Sequence, residues 1–128
     1  MVISGSCECR NIKFEIQGQI PDAVACHCSQ CRKTSGHVWA SVLVPDEQFT
    51  LLSDDTLKWR CSSEFANRGF CTECGSSLFY KHNEEKSIAV AAGTLDPPSG
   101  LGFDRHIFVK DKGDYYQIPE NERQIERY

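Results

Sequence analysis

The residues of this sequence best suited to chemistry are its eight cysteines, most of which fall into short groups along the 128-residue chain. Cys71 and Cys74 form a Cys-x-x-Cys followed directly by Gly75. Two sulfurs at that spacing reach one ion when the chain turns tightly between them. A glycine after the second supplies the positive φ that such a turn needs. Phe70 before the pair and Leu78-Phe79-Tyr80 after it give the turn a hydrophobic seat. Structural zinc takes four ligands, so this pair is half a site. Cys7 and Cys9 form a Cys-x-Cys, and in extended backbone residues i and i+2 project from one face, so their thiolates converge. Cys7, Cys9, Cys71 and Cys74 together make a closed tetrahedral site that ties the N-terminal strand to the middle of the chain.

The middle group has a different stoichiometry. Cys26, Cys28 and Cys31 supply three ligands within six residues. Three protein ligands with a fourth position open is the pattern of catalytic zinc, where water or substrate completes the coordination. Three thiolates leave a zinc complex with net negative charge, less acidic toward water than a three-histidine site and better matched to a soft thiol. That favours a thiol substrate over hydrolysis. Two other readings stand beside it: His27, His37 or His106 closes the site as a fourth ligand, or the cluster is a redox thiol set without stable metal. Cys61 stands alone and shares an alternating face with Leu57 and Trp59, which reads as a buried core thiol.

These groups must be positioned by a small domain. Hydrophobic residues at 40% and charged residues at 25% describe a globular chain of one domain, 1–128, with a core over about 3–118 and a charged tail over 119–128 that reads as helical or frayed. Asn11 to Gln17 alternates apolar and polar residues as a half-buried strand does. Val38 to Val44, Phe49 to Leu52, Thr56 to Cys61, Leu78 to Lys81, Ser87 to Ala92 and Ile107 to Val109 complete a set of short strands separated by turn-rich segments. One short helix is expected near Ser29 to Ser35, closed by Gly36. The fold class is therefore mainly β, a compact domain of several short antiparallel sheets.

Fourteen Lys+Arg against eighteen Asp+Glu give a net charge of −4, which argues against a nucleic-acid partner. The apolar runs are shorter than a membrane span, so no membrane association is expected. Met1-Val-Ile-Ser-Gly5 lacks the pattern of a secretory signal, so a cytoplasmic location is expected. Thiols there are kept reduced, which favours metal ligation over a disulfide framework. Nothing in the sequence sets an oligomeric state.

Five blocks together resemble the glutathione-dependent formaldehyde-activating enzyme family, also called the centromere protein V family. They are Gly5-Ser-Cys-Glu-Cys9, Cys26-His-Cys-Ser-Gln-Cys-Arg-Lys-Thr-Ser-Gly36, Arg68-Gly-Phe-Cys-Thr-Glu-Cys-Gly75, Gly93-Thr-Leu-Asp96 and His106-Ile-Phe-Val109. The resemblance spans nearly the whole chain. It implies a β-rich, Mss4-like fold with two zinc ions per chain, one structural on Cys7, Cys9, Cys71 and Cys74 and one catalytic on Cys26, Cys28 and Cys31. It also implies a carbon–sulfur lyase-type reaction, the condensation of glutathione with formaldehyde to S-(hydroxymethyl)glutathione. Arg10 stands where the family usually carries glycine, a departure that bears on local backbone shape rather than on metal ligation. Arg32 and Lys33, just after the last ligand, are candidates to offset the anionic zinc complex and attract a carboxylate-bearing thiol such as glutathione. His106 is a candidate acid/base group. A zinc-stabilised binding module without catalysis is the alternative. A methionine sulfoxide reductase-like enzyme fits poorly, since Cys61 is the one thiol outside the clusters.

Overall fold

The computed structural model describes residues 1–128 as two β-sheets packed face to face. The smaller sheet is antiparallel, in the order β1 (Val2–Ser6), β2 (Lys13–Gln17) and β5 (Phe49–Ser53). The larger has seven strands. From one edge these are β10 (Phe103–Ile107), β3 (Ala23–Cys26), β4 (Trp39–Pro45), β9 (Ser87–Ala91), β8 (Ser77–His82), β7 (Ala66–Cys71) and β6 (Leu57–Cys61). All neighbours are antiparallel except β10 and β3, which run parallel. The domain is thus mainly β as expected, with one parallel pair where the sequence suggested only antiparallel strands.

The alternation in β2 does what its period requires. Phe14 and Ile16 are fully buried, while Lys13 and Gln17 are exposed. With Ile3 and Ile12 they pack on Val42, Val44, Leu78, Phe79, Ile88 and Val90 of the large sheet. The Phe14 and Phe79 rings meet edge-to-face at 5.6 Å. Full burial of each such side chain contributes roughly 1.5–3 kcal/mol. Gly5 is required at this contact, because a Cβ there would collide with the Phe14 ring and stand 2.7 Å from the Thr94 carbonyl oxygen.

The same strands carry a second, smaller cluster on the opposite face. Val42 and Val90 point to the main core, so Trp39, Ala89 and Ala91, at the other parity, point away from it. Helix α1 (Ser29–Ser35) lies over this face and brings Cys31 onto Trp39, Ala89 and Ala91. Its ends are those expected: Gly36 closes it at φ 89° with its N–H bonded to the Arg32 carbonyl.

Three strands escape a reading by periodicity. β1 contains a glycine, β3 has four small residues, and β7 holds Asn67, Arg68 and Gly69 yet is buried at most positions. The strand expected over Ile107–Val109 lies earlier, because Phe108 takes a left-handed conformation (φ 55°) and ends β10 at Ile107. Cys61 is a correction. It is exposed, with Sγ bonded to the Ser63 carbonyl (3.2 Å), because β6 is the edge strand and its contacts with the core, through Leu57 and the Trp59 ring stacked on Phe79, stop before its far end. The tail is a second correction, neither helical nor frayed. It runs beside β10, where His106 N–H donates to the Arg123 carbonyl (2.8 Å) and Ile125 N–H to the His106 carbonyl (2.9 Å). No helix is long and apolar enough to cross a membrane.

Candidate metal centres

Cys7 and Cys9 lie in the turn after β1, Cys71 ends β7, and Cys74 lies in the turn before β8. Their four sulfurs are all within 4.8 Å of one another. Cys7 and Cys9 Sγ are 3.6 Å apart, and Cys9 and Cys71 Sγ 3.7 Å. A tetrahedron with Zn–S bonds of about 2.3 Å has sulfur–sulfur edges of about 3.8 Å, so the donor set fits a zinc-sized ion. Backbone amides point at the sulfurs as well. Ile12 N–H donates to Cys7 Sγ (3.3 Å) and Cys74 N–H to Cys71 Sγ (3.5 Å). Gly75, at φ 78°, completes the turn by donating to the Cys71 carbonyl (2.9 Å). Arg10 has φ 67°, so the chain keeps a glycine-like conformation here with a larger side chain.

The second cluster is built from the end of β3 and the start of α1. Cys26 is the last residue of β3, Cys28 is the helix N-cap, and Cys31 is the third helical residue. The Cys28 sulfur accepts the Cys31 N–H (3.3 Å), doing for the helix what a serine or aspartate cap would do. Cap geometry and ligand spacing therefore coincide. The three sulfurs lie within 4.8 Å of one another, and no histidine or carboxylate joins them. Cys28 is pulled down to about 2, by hydrogen bonds from Cys26 and Cys31 first and with the Arg68 charge assisting. Cys26 is pushed well above the usual thiol value, by its bonds to Cys28 and Cys31 and then by burial. Cys31 is raised too, its bond to Cys26 being outweighed by its bond to Cys28 and by burial, so the charge of the metal-free trio rests on the Cys28 sulfur. Three sulfurs suit a soft divalent ion and leave one tetrahedral position for another ligand.

The histidines expected near this cluster are engaged elsewhere. His27 alternates away from its cysteine neighbours and is 2% exposed. Its Nδ1 lies 2.7 Å from the Tyr116 hydroxyl and its Nε2 2.8 Å from His106 Nδ1. His106 Nε2 in turn is 2.7 Å from Glu122 Oε1. Burial first, and then the His106 charge, holds His27 down to about 4, so it is neutral near pH 7. The Glu122 carboxylate can only accept, so His106 Nε2–H donates to it, and the neutral His27 ring divides one N–H and one lone pair between His106 and the Tyr116 hydroxyl. His37 Nδ1 is 2.5 Å from the Tyr115 hydroxyl.

The cation at the cluster is one that spacing did not single out. Arg68 on β7 is 5% exposed and donates from Nη2 to Cys31 Sγ (3.4 Å) and Gln30 Oε1 (3.1 Å). It sits over the rings of Tyr80 (5.0 Å) and Trp39 (5.7 Å). Strand register puts it there, since Arg68 pairs with Tyr80 and Tyr80 with Ala89 in one row across β7, β8 and β9. Arg32 and Lys33 form no hydrogen bond or ion pair with the three thiols, and Lys33 is exposed. A cleft of about 520 Å³ runs between the end of α1 and the Cys71–Cys74 turn, lined by Trp39 and Ala91 as well as Ser35, Ser76 and Thr94.

Comparison with known proteins places this arrangement. The model of the family described as "Glutathione-dependent formaldehyde-activating enzyme" matches residues 2–111. A Schizosaccharomyces pombe protein named as an uncharacterised lyase is 26% identical over 119 residues, covering 89% of this chain and 83% of that protein. A Halomonas elongata protein, provisionally named a glutathione-dependent formaldehyde-activating enzyme, is 24% identical over 137 aligned positions, covering 96% of this chain and 85% of its own. A crystal structure of a Rhodobacter sphaeroides protein shares the fold with a TM-score of 0.64 at 22% identity, covering 77% of this chain and 94% of that one. With the family match extending over all seven clustered cysteines, the chain belongs to the glutathione-dependent formaldehyde-activating enzyme family.

Proposed function

We propose that the protein is a zinc-dependent carbon–sulfur lyase-type enzyme that joins a small thiol, such as glutathione, to an aldehyde such as formaldehyde, and catalyses the reverse cleavage. Two zinc ions per chain are assigned: one structural on Cys7, Cys9, Cys71 and Cys74, and one reactive on Cys26, Cys28 and Cys31. The observation that carries the reading is the incomplete second ligand set, three sulfurs without a histidine or carboxylate, beside a buried arginine. The zinc, when bound there, supplies a soft Lewis acid that favours the thiolate form of a substrate thiol.

The chain's own residues do the rest. Cys26, Cys28 and Cys31 fix the position of that centre, and α1 holds two of them through its cap. Trp39 and Tyr80 form an aromatic wall against the cluster. Arg68 balances the accumulated negative charge. In the forward direction the thiol S–H bond breaks, sulfur bonds to the carbonyl carbon, and the carbonyl π pair becomes an alkoxide. The proton lost from sulfur ends on that oxygen.

The test is exchange NMR on formaldehyde with glutathione. Wild-type protein should accelerate interconversion above the uncatalysed rate, and Cys31→Ser should return it to that rate. Equal acceleration by both proteins would sink the reading.

A further inference from the structure

Around the three-cysteine cluster lie hydrogen-bond donors that the folded chain does not use. Arg68 has its Nη2 engaged with Gln30 and Cys31, but its Nε and Nη1 have no acceptor. The Trp39 indole Nε1 is likewise buried without one. Both side chains are more than nine-tenths buried, at 5% and 6% exposure. Such donors are rare in folded proteins, because burial strips away water and normally returns an acceptor. The Tyr80 and Trp39 rings attract the guanidinium charge, yet they offer no lone pairs to its N–H groups. Nε and Nη2 share one edge of the guanidinium fork, the edge that grips two-atom acceptors. Nη2 has one N–H on the Nε edge and one on the Nη1 edge, so whichever of them meets Cys31 Sγ has an unused N–H of Arg68 beside it.

Charge arithmetic points the same way. Three thiolates and a divalent ion sum to −1, and an anionic fourth ligand makes −2. Accumulating that charge in a half-buried site is costly without a cation that cannot lose its proton, and arginine is such a cation. Arg68 is the one arginine or lysine hydrogen-bonded to the cluster.

We infer that Arg68, assisted by the Trp39 indole, makes the three-cysteine site a receptor for an anionic ligand: the thiolate of the substrate and the alkoxide oxygen of the adduct it forms. The inference rests on reading this cluster as a thiol-binding metal site. It adds the residues that select an anion there. The unused N–H groups donate to the incoming sulfur and then to the oxygen as negative charge moves onto it, until the proton that left the thiol returns to that oxygen.

The test uses the full chain loaded with cobalt(II), whose visible bands report ligand changes at the metal. Wild-type and variant proteins are titrated at one pH with two probes, thiocyanate and glutathione. Wild type should bind both. Arg68→Met should bind each at least tenfold more weakly, with cobalt content and the probe-free spectrum unchanged. Arg68→Lys, which keeps the charge but loses the fork, should fall between them. Trp39→Phe should weaken binding without changing the metal bands. Thiocyanate binding that depends on Arg68, without glutathione binding, would uphold the anion receptor and overturn the thiol reading. Wild-type affinity for both probes in Arg68→Met would overturn the inference, as would failure of wild type to bind either. Should Arg68→Met not take up metal, Arg68→Lys carries the test, and wild-type affinity there would remove the role assigned to the fork.

Discussion

Cys28 shows how much one residue does in this protein. Its sulfur belongs to the three-thiol cluster and also caps α1, so a single side chain sets ligand position and helix start together. The ligand spacing is legible in sequence, whereas the cap emerges only from the structure, because cysteine lies outside the usual N-cap residues. Cys61 is the opposite case. Its parity with Leu57 and Trp59 suggested the core, but its place at the far end of an edge strand leaves it exposed and outside both clusters. In metal-loaded protein, iodoacetamide should therefore modify one thiol per chain, and mass spectrometry should place the label on Cys61. Cys61→Ser should abolish that labelling and shift stability by less than about 0.5 kcal/mol, as surface substitutions do. Labelling spread over several cysteines of the loaded protein would contradict the cluster assignments.

Among the elements, the C-terminal segment is the least anticipated. It lies beyond the family match, which ends at residue 111, and its charged composition has no period to read. Its hold on the domain comes from tertiary bonds: the strand-like pairing to β10 and the ordered path from Tyr116 through His27 and His106 to Glu122. Because His27 sits between Cys26 and Cys28, this path fixes the ligand loop from behind. Tyr116→Phe leaves His27 Nδ1 buried without a hydrogen-bond partner and should cost about 1–3 kcal/mol. Glu122→Ala should cost less, since the Glu122 side chain is 41% exposed and water can replace it. Urea unfolding with unchanged m-values checks both. A Tyr116→Phe protein as stable as wild type would mean that the tail rests on the domain without bracing it.

At the scale of the whole molecule the two clusters occupy unlike positions. The four-cysteine group joins the turn after β1 to the strands at the far side of the large sheet, so it links both sheets. The three-cysteine group links β3 only to the adjacent helix. Metal bound at the first should therefore be coupled to global folding more strongly than metal bound at the second. Protein purified without chelator should hold close to two zinc ions per chain by elemental analysis. Cys28→Ser should lose one and remain folded, helped by serine's quality as a helix cap. Cys74→Ser should lower the unfolding temperature steeply or prevent folding. One zinc per wild-type chain, or equal damage from the two substitutions, would refute this division.

Sequence by itself determined the seven clustered sulfurs and their grouping, the mainly β character, the short helix and its glycine stop. The reason is that these features are local. Backbone geometry alone dictates that residues two apart in a strand or three apart at a turn converge, and that alternating side chains bury one face. Tertiary structure decided what surrounds the sulfurs. Arg68 reaches Cys31 through pairing with Tyr80 across strands and through a helix packed over them. His27 is turned from metal ligation by partners 79 and 89 positions away. Contacts of that kind depend on strand register and sheet order, which follow from how the whole core packs and leave no signature in the spacing of neighbouring residues.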